Sequence, residues 1–154
     1  MYKATIEGNQ NVLDMFDKLF FVDEKLEGAL FDAGKETVQL VKDRIASGRN
    51  TEGDMMVTNS NTRIGRYSIM QGERRQKRGL RTDLINLHFD GTMLDDFKVI
   101  NSTRNSCSIG FTKDSELEKA DSNEYLFGKI FDVEESIIDK QIEKIDRAVL
   151  ETIQ

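Results

Sequence analysis

The sequence lacks several residues that small proteins use to brace a fold or to build a reactive site. It contains no proline and no tryptophan, and it has one cysteine and one histidine in 154 residues. Without proline, the chain can form neither a rigid proline-rich linker nor a PxxP ligand. The single cysteine, Cys107, excludes an intrachain disulfide, and this favours a reducing compartment.

Targeting and membrane-spanning segments are missing as well. The first residues carry no apolar core of a signal peptide. No apolar run approaches the length of about 18 residues that a transmembrane helix needs. We therefore expect a soluble protein without membrane contact, made and assembled in a cytoplasm.

Length and charge predict one acidic domain. The chain carries 28 acidic and 22 basic residues, which gives a net charge of −6 and a pI near 4.9. A chain of this length buries enough apolar surface to fold without a metal or a disulfide. The acidic balance argues against general nucleic-acid binding, but it leaves room for a local basic patch. We expect a single domain over residues 1–154.

Apolar residues at helical spacing predict helices in the N-terminal third of the chain. One such pattern covers residues 12–20, and a second, longer one covers residues 22–45. Gly28 and Gly34 fall inside the second pattern, where each glycine costs about 1 kcal/mol relative to alanine. Such glycines indicate either a close packing contact or a break in the helix, and the spacing alone does not choose between them.

The middle of the sequence predicts a loop and short strands. The stretch 49–62 is polar, asparagine-rich and aperiodic, which is typical of a long loop that is either functional or ordered by a partner. A short helix is predicted over 67–77, and residues 84–89 alternate like a half-buried strand. Two further strand-like runs, 97–101 and 106–112, are separated by turn residues and predict a hairpin.

The C-terminal part predicts a loop followed by an amphipathic helix. Residues 121–123 read Asp-Ser-Asn, a composition typical of a loop. Isoleucines then recur at helical spacing over residues 137–153, and Asp132 is a candidate N-cap for this helix. The elements together predict an α+β fold in which a small antiparallel sheet packs against a long N-terminal helix and a C-terminal helix.

Residues capable of catalysis are few and isolated. His88 lies in a predicted strand with no second histidine or cysteine nearby, whereas a zinc site needs three or four nitrogen or sulfur ligands. Cys107 has no neighbouring base or helix N-terminus to activate its thiol. The carboxylate pairs at 95–96 and 134–135 are sequence neighbours, so their side chains point in different directions. No glycine-rich phosphate loop and no nucleophile elbow occur. We predict no enzyme activity, no metal site and no cofactor.

The most unusual feature is the charge of residues 63–81. Seven basic residues against the single acid Glu73 give this stretch a charge of +6, which leaves −12 on the rest of the chain. The basic residues are Arg63, Arg66, Arg74, Arg75, Lys77, Arg78 and Arg81.

This segregation of charge has three interpretations. The basic residues can form a solvated helix face that meets acids of the same chain. They can form an interface, because a positive segment and a negative remainder attract when identical copies pack head to tail. They can also contact nucleic-acid phosphates, against which stand the acidity of the whole chain and the scarcity of stacking aromatics.

Under the interface interpretation, we predict that two sets of residues contact a partner. The first is the basic set, and we expect replacement of Arg74, Arg75 and Arg78 together by glutamate to block association and leave the subunit folded. The second set belongs to the polar loop: Asn50, Met55 and Met56.

Part of the sequence resembles a known protein family. Tyr67-Ser68 precede the basic run 74–80, RRQKRGL, and the segment 83–94, DLINLHFDGTML. These stretches resemble small tailed-bacteriophage morphogenesis proteins of the neck, tail-completion and tail-terminator group. In that group a tyrosine-bearing helix runs into a basic Lys/Arg-x-x-Gly turn and then into a strand of the type Asp/Asn-Leu-x-x-x-Gly-x-Met-Leu. The predicted helix at 30–45 and the segment 124–131 fit the same arrangement.

The resemblance implies a structural role in the virion. Proteins of this group are non-enzymatic ring components that lie between portal and tail or close the end of a tail tube. It implies identical subunits in a ring, with six- or twelve-fold symmetry, next to portal or connector proteins, tail proteins and packaged DNA. The alternatives are a cytosolic α+β adaptor, or a nucleic-acid-binding accessory protein that uses the basic residues 63–81.

Overall fold

Five helices and two short hairpins make up the part of the chain that the structure describes. A computed structural model describes the backbone of residues 10–153 and the side chains of residues 21–151. In chain order the elements are α1 (Gln10–Ala46), β1 (Arg63–Ile64), β2 (Tyr67–Ser68), α2 (Ile69–Lys77), α3 (Thr92–Asp96), β3 (Lys98–Thr103), β4 (Ser106–Gly110), α4 (Asp114–Phe127) and α5 (Glu135–Ile153).

Helix α1 is one continuous helix, where the spacing of apolar residues predicted two patterns. Neither internal glycine breaks it, and they differ in their surroundings. A Cβ on Gly34 would overlap the Sγ of Cys107 in β4 and lie 3.0 Å from Cγ2 of Val99 in β3. A Cβ on Gly28 would meet nothing within 4 Å. Gly34 therefore marks the place where the β3–β4 hairpin packs closely on the helix.

The sheets are small and antiparallel, as predicted. In the larger one, β3 pairs with β4 so that Lys98 lies opposite Gly110 and Thr103 lies opposite Ser106. In the smaller one, Ile64 of β1 pairs with Tyr67 of β2. The β3–β4 hairpin and the C-terminal helix α5 both pack against α1. The α+β fold, with a long N-terminal helix and a C-terminal helix, is confirmed.

Four predictions of local secondary structure are wrong. Residues 84–89 form no strand in the described structure, because Leu87 has a left-handed φ of +53°, which interrupts an extended backbone. Residues 121–123 belong to helix α4, in which Ser122 Oγ donates to the carbonyl of Glu118 and Asn123 Nδ2 to that of Lys119. Side chains that bond to the preceding turn in this way are compatible with a helix.

The other two wrong predictions concern helix starts. Helix α2 begins at Ile69, because Tyr67 and Ser68 pair as strand β2. Helix α5 begins at Glu135, and Asp132 does not cap it. The carboxylate of Asp132 pairs with Lys129 at 3.0 Å instead.

The core lies where α1, the loop 49–62 and the β3–β4 hairpin meet. Val41, Ile45, Ile85 and Ile130 are completely buried within it. A trio of rings beside them has centroids 5.0–5.3 Å apart: Phe97, Phe111 and Phe131. No helix in the described part of the chain is long and apolar enough to cross a membrane.

Candidate interaction site around helix α2

The basic residues of 63–81 fall into three groups by exposure. Arg66 is half-buried, and Arg75 is 2% exposed. The exposed members are Arg63, Arg74, Lys77, Arg78 and Arg81. Of all seven, Arg81 is the one that pairs with a carboxylate in the described part of the chain, at 2.6 Å from Asp83 Oδ2. The side-chain hydrogen bond in this pair lowers the pKa of Asp83 and raises the pKa of Arg81.

The outer face of α2 therefore carries positive charge that acids of the same chain do not neutralise. Arg74, Lys77 and Arg78 are three and four residues apart, so they share one side of the helix; we call them the basic stripe. The guanidinium of Arg78 lies 4.2 Å from the centroid of the Phe89 ring. None of the three has an ion pair within the described residues, so the structure does not support the interpretation that intrachain acids absorb this charge.

Arg75 is not a surface residue, which corrects its prediction as an interface contact. Its guanidinium lies 4.5 Å from the centroid of the buried Tyr67 ring. It donates hydrogen bonds to the carbonyls of Arg81 (2.7 Å) and His88 (2.9 Å) and to Oδ1 of Asn86 (3.0 Å). The side chain thus holds the irregular segment 81–88 against α2. Glutamate at this position would bury a carboxylate and remove three hydrogen bonds, so it would unfold the site rather than test a contact.

The loop 49–62 is also more internal than predicted. Asn50 is 6% exposed, and its Oδ1 accepts hydrogen bonds from the backbone N–H groups of Glu52 and Asp54. Met56 is 2% exposed and belongs to the core, whereas Met55 is half-buried. Asn50 and Met56 are therefore not available to a partner in this conformation, because they hold the loop in place.

Helix α4 contributes a surface that the sequence reasoning missed. Asp114, Glu118 and Asp121 are exposed and lie four and three residues apart, so they form a row on one side of the helix; we call them the acidic stripe. No described basic side chain forms an ion pair with any of them. The spacing of these acids is the signal in the sequence, but the loop-like composition of residues 121–123 hides it.

A cavity of about 450 Å³ lies between α2 and α4. Tyr67, Gln71 and Arg75 line it on one side. Three residues of α4 line it on the other: Lys119, Asn123 and Leu126. At 3.6 residues per turn, the acidic stripe lies on the side of α4 opposite to these lining residues. The acidic stripe and the cavity therefore lie on different faces of α4.

The other residues that were candidates for catalysis or metal binding are His88, Cys107 and the acidic pair that contains Asp96. His88 is exposed, and Cys107 is half-buried against α1. Asp96 is buried and accepts hydrogen bonds from Thr112 and Lys113, and these lower its pKa to about 2. Within the residues whose side chains are described, no group of three or more histidine, cysteine or acidic residues is arranged to hold a metal ion.

Comparison with known proteins adds no relative. Neither a family model, nor a curated protein, nor a solved structure matches this chain at a significant level. Function is therefore inferred from the two charged stripes and from the sequence resemblance over residues 67–94.

Proposed function

We propose that the protein is a structural component of a bacteriophage virion. In this role it is a head–tail connector, neck or tail-completion subunit that forms a ring with copies of itself between portal and tail, without catalysis. The sequence resemblance over residues 67–94 suggests the class. The structural observation that carries the proposal is the pair of stripes, one basic on α2 and one acidic on α4, both without ion pairs in the described part of the subunit.

Opposite stripes on different helices suit a head-to-tail contact between identical subunits. The α2 face of one copy meets the α4 face of the next, and such heterologous contacts close into a ring when the rotation between copies allows it. Complementary charge steers the encounter and fixes the register. Each subunit then uses both stripes, and its basic stripe pairs with acids of the neighbouring subunit instead of acids of its own described residues.

Charge reversal of the basic stripe tests this contact. Simultaneous replacement of Arg74, Lys77 and Arg78 by glutamate is expected to leave the subunit folded, because all three are exposed. It is expected to abolish rings in negative-stain micrographs and larger species in sedimentation velocity. Reversal of the acidic stripe, with Asp114, Glu118 and Asp121 changed to lysine, is expected to have the same effect.

Recombination of the two variants separates a specific contact from a change in net charge. A mixture of the two variants is expected to form rings again, because each variant then presents complementary stripes to the other. A control that exchanges the same amount of charge elsewhere is expected to assemble normally: Lys25, Lys35 and Lys140 changed to glutamate. Normal assembly by the α2 variant, or a wild-type protein that stays monomeric at all concentrations, would contradict the proposal.

The same basic residues, which have no ion pair within the described part of the subunit, can also contact DNA phosphates. The alternative that the protein is a nucleic-acid-binding accessory protein therefore needs its own test. Fluorescence anisotropy with a labelled duplex distinguishes the two. A virion subunit that uses the stripe for protein contacts is expected to bind DNA only weakly at physiological salt. Micromolar affinity that falls steeply with salt, and that the α2 variant loses, would favour the nucleic-acid-binding function instead.

A further inference from the structure

One edge of strand β3 has no pairing partner in the described part of the chain. The strand pairs with β4 on one side, and the sheet has no further strand. On the other side, no described residue forms a hydrogen bond with the backbone of β3. Because the N–H and C=O groups of a strand point to both sides, about half of them are left without a partner there. Such an edge can accept a further strand.

A cavity of about 440 Å³ runs along this edge, between β3 and helix α1. On the β3 side it is lined by the consecutive residues 99–102, and on the α1 side by Glu27, Gly28 and Phe31. Since successive side chains of a strand point to opposite faces, consecutive lining residues place the cavity at the edge rather than over one face. Phe31 is 43% exposed and Ile100 is 52% exposed, so the cavity offers apolar surface beside the unpaired backbone.

Gly28 has no explanation within its own subunit. A glycine in the interior of a helix costs about 1 kcal/mol relative to alanine. At Gly34 the hairpin needs the space, but a Cβ on Gly28 would meet nothing within 4 Å. On the β3 side of the same cavity, Oγ of Ser102 is buried and has no hydrogen-bond partner among the described residues. Both features are accounted for if a segment from outside the described structure packs into this cavity.

The sequence contains a segment that suits this edge. Residues 2–7 precede the described backbone and read YKATIE, in which apolar and polar residues alternate. Alternation with period two, together with aromatic and β-branched residues, is typical of a strand that covers apolar surface with one face. The segment has the same length as β3, which spans Lys98–Thr103.

This segment cannot lie along β3 of its own chain. Arg104, directly after β3, pairs with Asp23 of α1 at 3.3 Å, so the tip of the hairpin lies beside Asp23. Gln10, where α1 begins, lies roughly 20 Å farther along the helix axis, at about 1.5 Å per residue. The chain from Glu7 to Gln10 spans at most about 11 Å. Glu7 therefore stays short of its own hairpin, and pairing along all of β3 requires the segment of another copy.

We propose that residues 2–7 of a second copy of this chain add to the free edge of β3 as a third strand. The backbone of the added strand pairs with β3, and its face with Tyr2, Ala4 and Ile6 covers Gly28 and Phe31 of α1. The position of the edge beside α1 favours a single extended segment over a second complete hairpin, which would bring its own α1 with it. This contact depends neither on the charged stripes nor on the proposed virion role.

Photo-crosslinking of the full chain locates the contact directly. Tyr2 is replaced by the photoreactive amino acid p-benzoylphenylalanine, and the protein is irradiated at a concentration at which it associates. A covalent dimer is expected on a denaturing gel, and mass spectrometry is expected to map the crosslink to β3 or to residues 27–31 of α1. A crosslink within one chain would leave the subunit mass unchanged.

A matched pair of double variants tests the backbone pairing. Neighbouring N–H groups of a strand point to opposite sides, so one of Ala4 and Thr5 donates to β3 in any register. Replacement of both by proline removes these donors, whereas replacement of both by serine keeps them. Sedimentation velocity is expected to show a dissociation constant at least about tenfold higher for the proline variant than for the serine variant.

A variant on α1 tests the role of Gly28. Gly28→Gln fills the cavity with a side chain and raises helix propensity, so the subunit is expected to fold as well as the wild type and to lose the crosslink. Asp32→Gln places the same side chain at an exposed position of α1 outside this cavity and is expected to keep the crosslink. Circular dichroism checks the fold of both variants.

Four results would overturn the inference. They are the lack of a covalent dimer, a crosslink that maps to another part of the chain, equal dissociation constants of the proline and serine variants, and an unchanged crosslink in Gly28→Gln. The ring and this contact fail separately. Rings without a crosslink to β3 or α1 would contradict this contact alone, and a crosslinked dimer that forms no ring would contradict the virion role alone.

Discussion

Gly34 determines how closely the β3–β4 hairpin can approach helix α1. At this residue the surface of the helix has no side chain, and Sγ of Cys107 occupies the space that a Cβ would fill. Because packed interiors tolerate little extra volume, a methyl group here must displace the hairpin or the helix. The higher helix propensity of alanine would stabilise α1, but by less than the overpacking would destabilise the fold.

Two glycine substitutions in the same helix are therefore expected to have opposite effects. Gly34→Ala is expected to lower the free energy of unfolding by about 1–3 kcal/mol through overpacking. Gly28→Ala, where a Cβ meets nothing within 4 Å, is expected to raise it by about 0.5–1 kcal/mol through helix propensity. Urea denaturation followed by circular dichroism measures both.

A double-mutant cycle identifies the cause. Cys107→Ala removes the overlapping sulfur, so Gly34→Ala is expected to cost less in that background than in the wild type. Equal costs in the two backgrounds would show that the sulfur is not what the new methyl group meets.

The sequence is also least informative about which individual residues are buried. Arg74 and Arg75 are adjacent and chemically identical, yet Arg74 is exposed and Arg75 is buried. What separates them is a set of acceptors from residues 81–88 and the ring of Tyr67, which only the folded chain brings together. The sequence therefore predicted the basic segment, but it could not tell which of its members support the fold.

At the scale of elements, the loop 49–62 behaves as a fixed connection. Asn50 N–H donates to the carbonyl of Asp54 at 3.0 Å, Thr51 N–H to that of Lys129 at 2.8 Å, and Met56 N–H to that of Gly48 at 2.8 Å. The buried Asn50 side chain ties its first turn together. Polarity and lack of periodicity predicted a loop that is either functional or ordered by a partner, and the structure shows a loop whose first half is held by contacts within the chain.

Hydrogen exchange distinguishes these descriptions. In the isolated subunit, the amides of Thr51 and Met56 are expected to exchange slowly, because both are hydrogen-bonded and the loop carries a core residue. The amides of Asn59 and Asn61 are expected to exchange rapidly, since no hydrogen bond from either backbone N–H is found in the described structure. Rapid exchange throughout 49–62 would mean that the loop is not held as described.

Secondary structure was predicted correctly where the apolar spacing extends over several turns or where turn residues identify a hairpin. The apolar spacing of α1 and α5 extends over several turns, and the turn residues between β3 and β4 predict a hairpin directly. It failed at α4, where polar residues such as Ser122 and Asn123 stay helical through bonds to the preceding turn. It also missed β1 and β2, because two-residue strands carry no alternation that could be recognised.

At the scale of the whole molecule, the two stripes present opposite charges on two different helices, α2 and α4. Exposed charges separated by more than about 8 Å are screened at physiological ionic strength. Association through the stripes is therefore expected to weaken when salt rises roughly tenfold from a low starting concentration. Sedimentation velocity at several salt concentrations measures this change.

A variant with both stripes reversed makes the salt experiment specific. Such a subunit keeps complementary surfaces, so it is expected to assemble with the same salt dependence as the wild type. Association that does not respond to salt would assign the contact to apolar surface instead, such as Ile138, Ile142 and Leu150, which are about half exposed on α5.

In the ring proposed above, the placement of the stripes on separate helices has a consequence for the order of assembly. An open arc of any length ends in one uncovered α2 face and one uncovered α4 face, whereas a closed ring has no ends. Closure adds one contact without immobilising another subunit, so it costs less entropy than each earlier addition. Partial arcs are then expected to be a minor population, and free subunits and complete rings are expected to dominate at equilibrium.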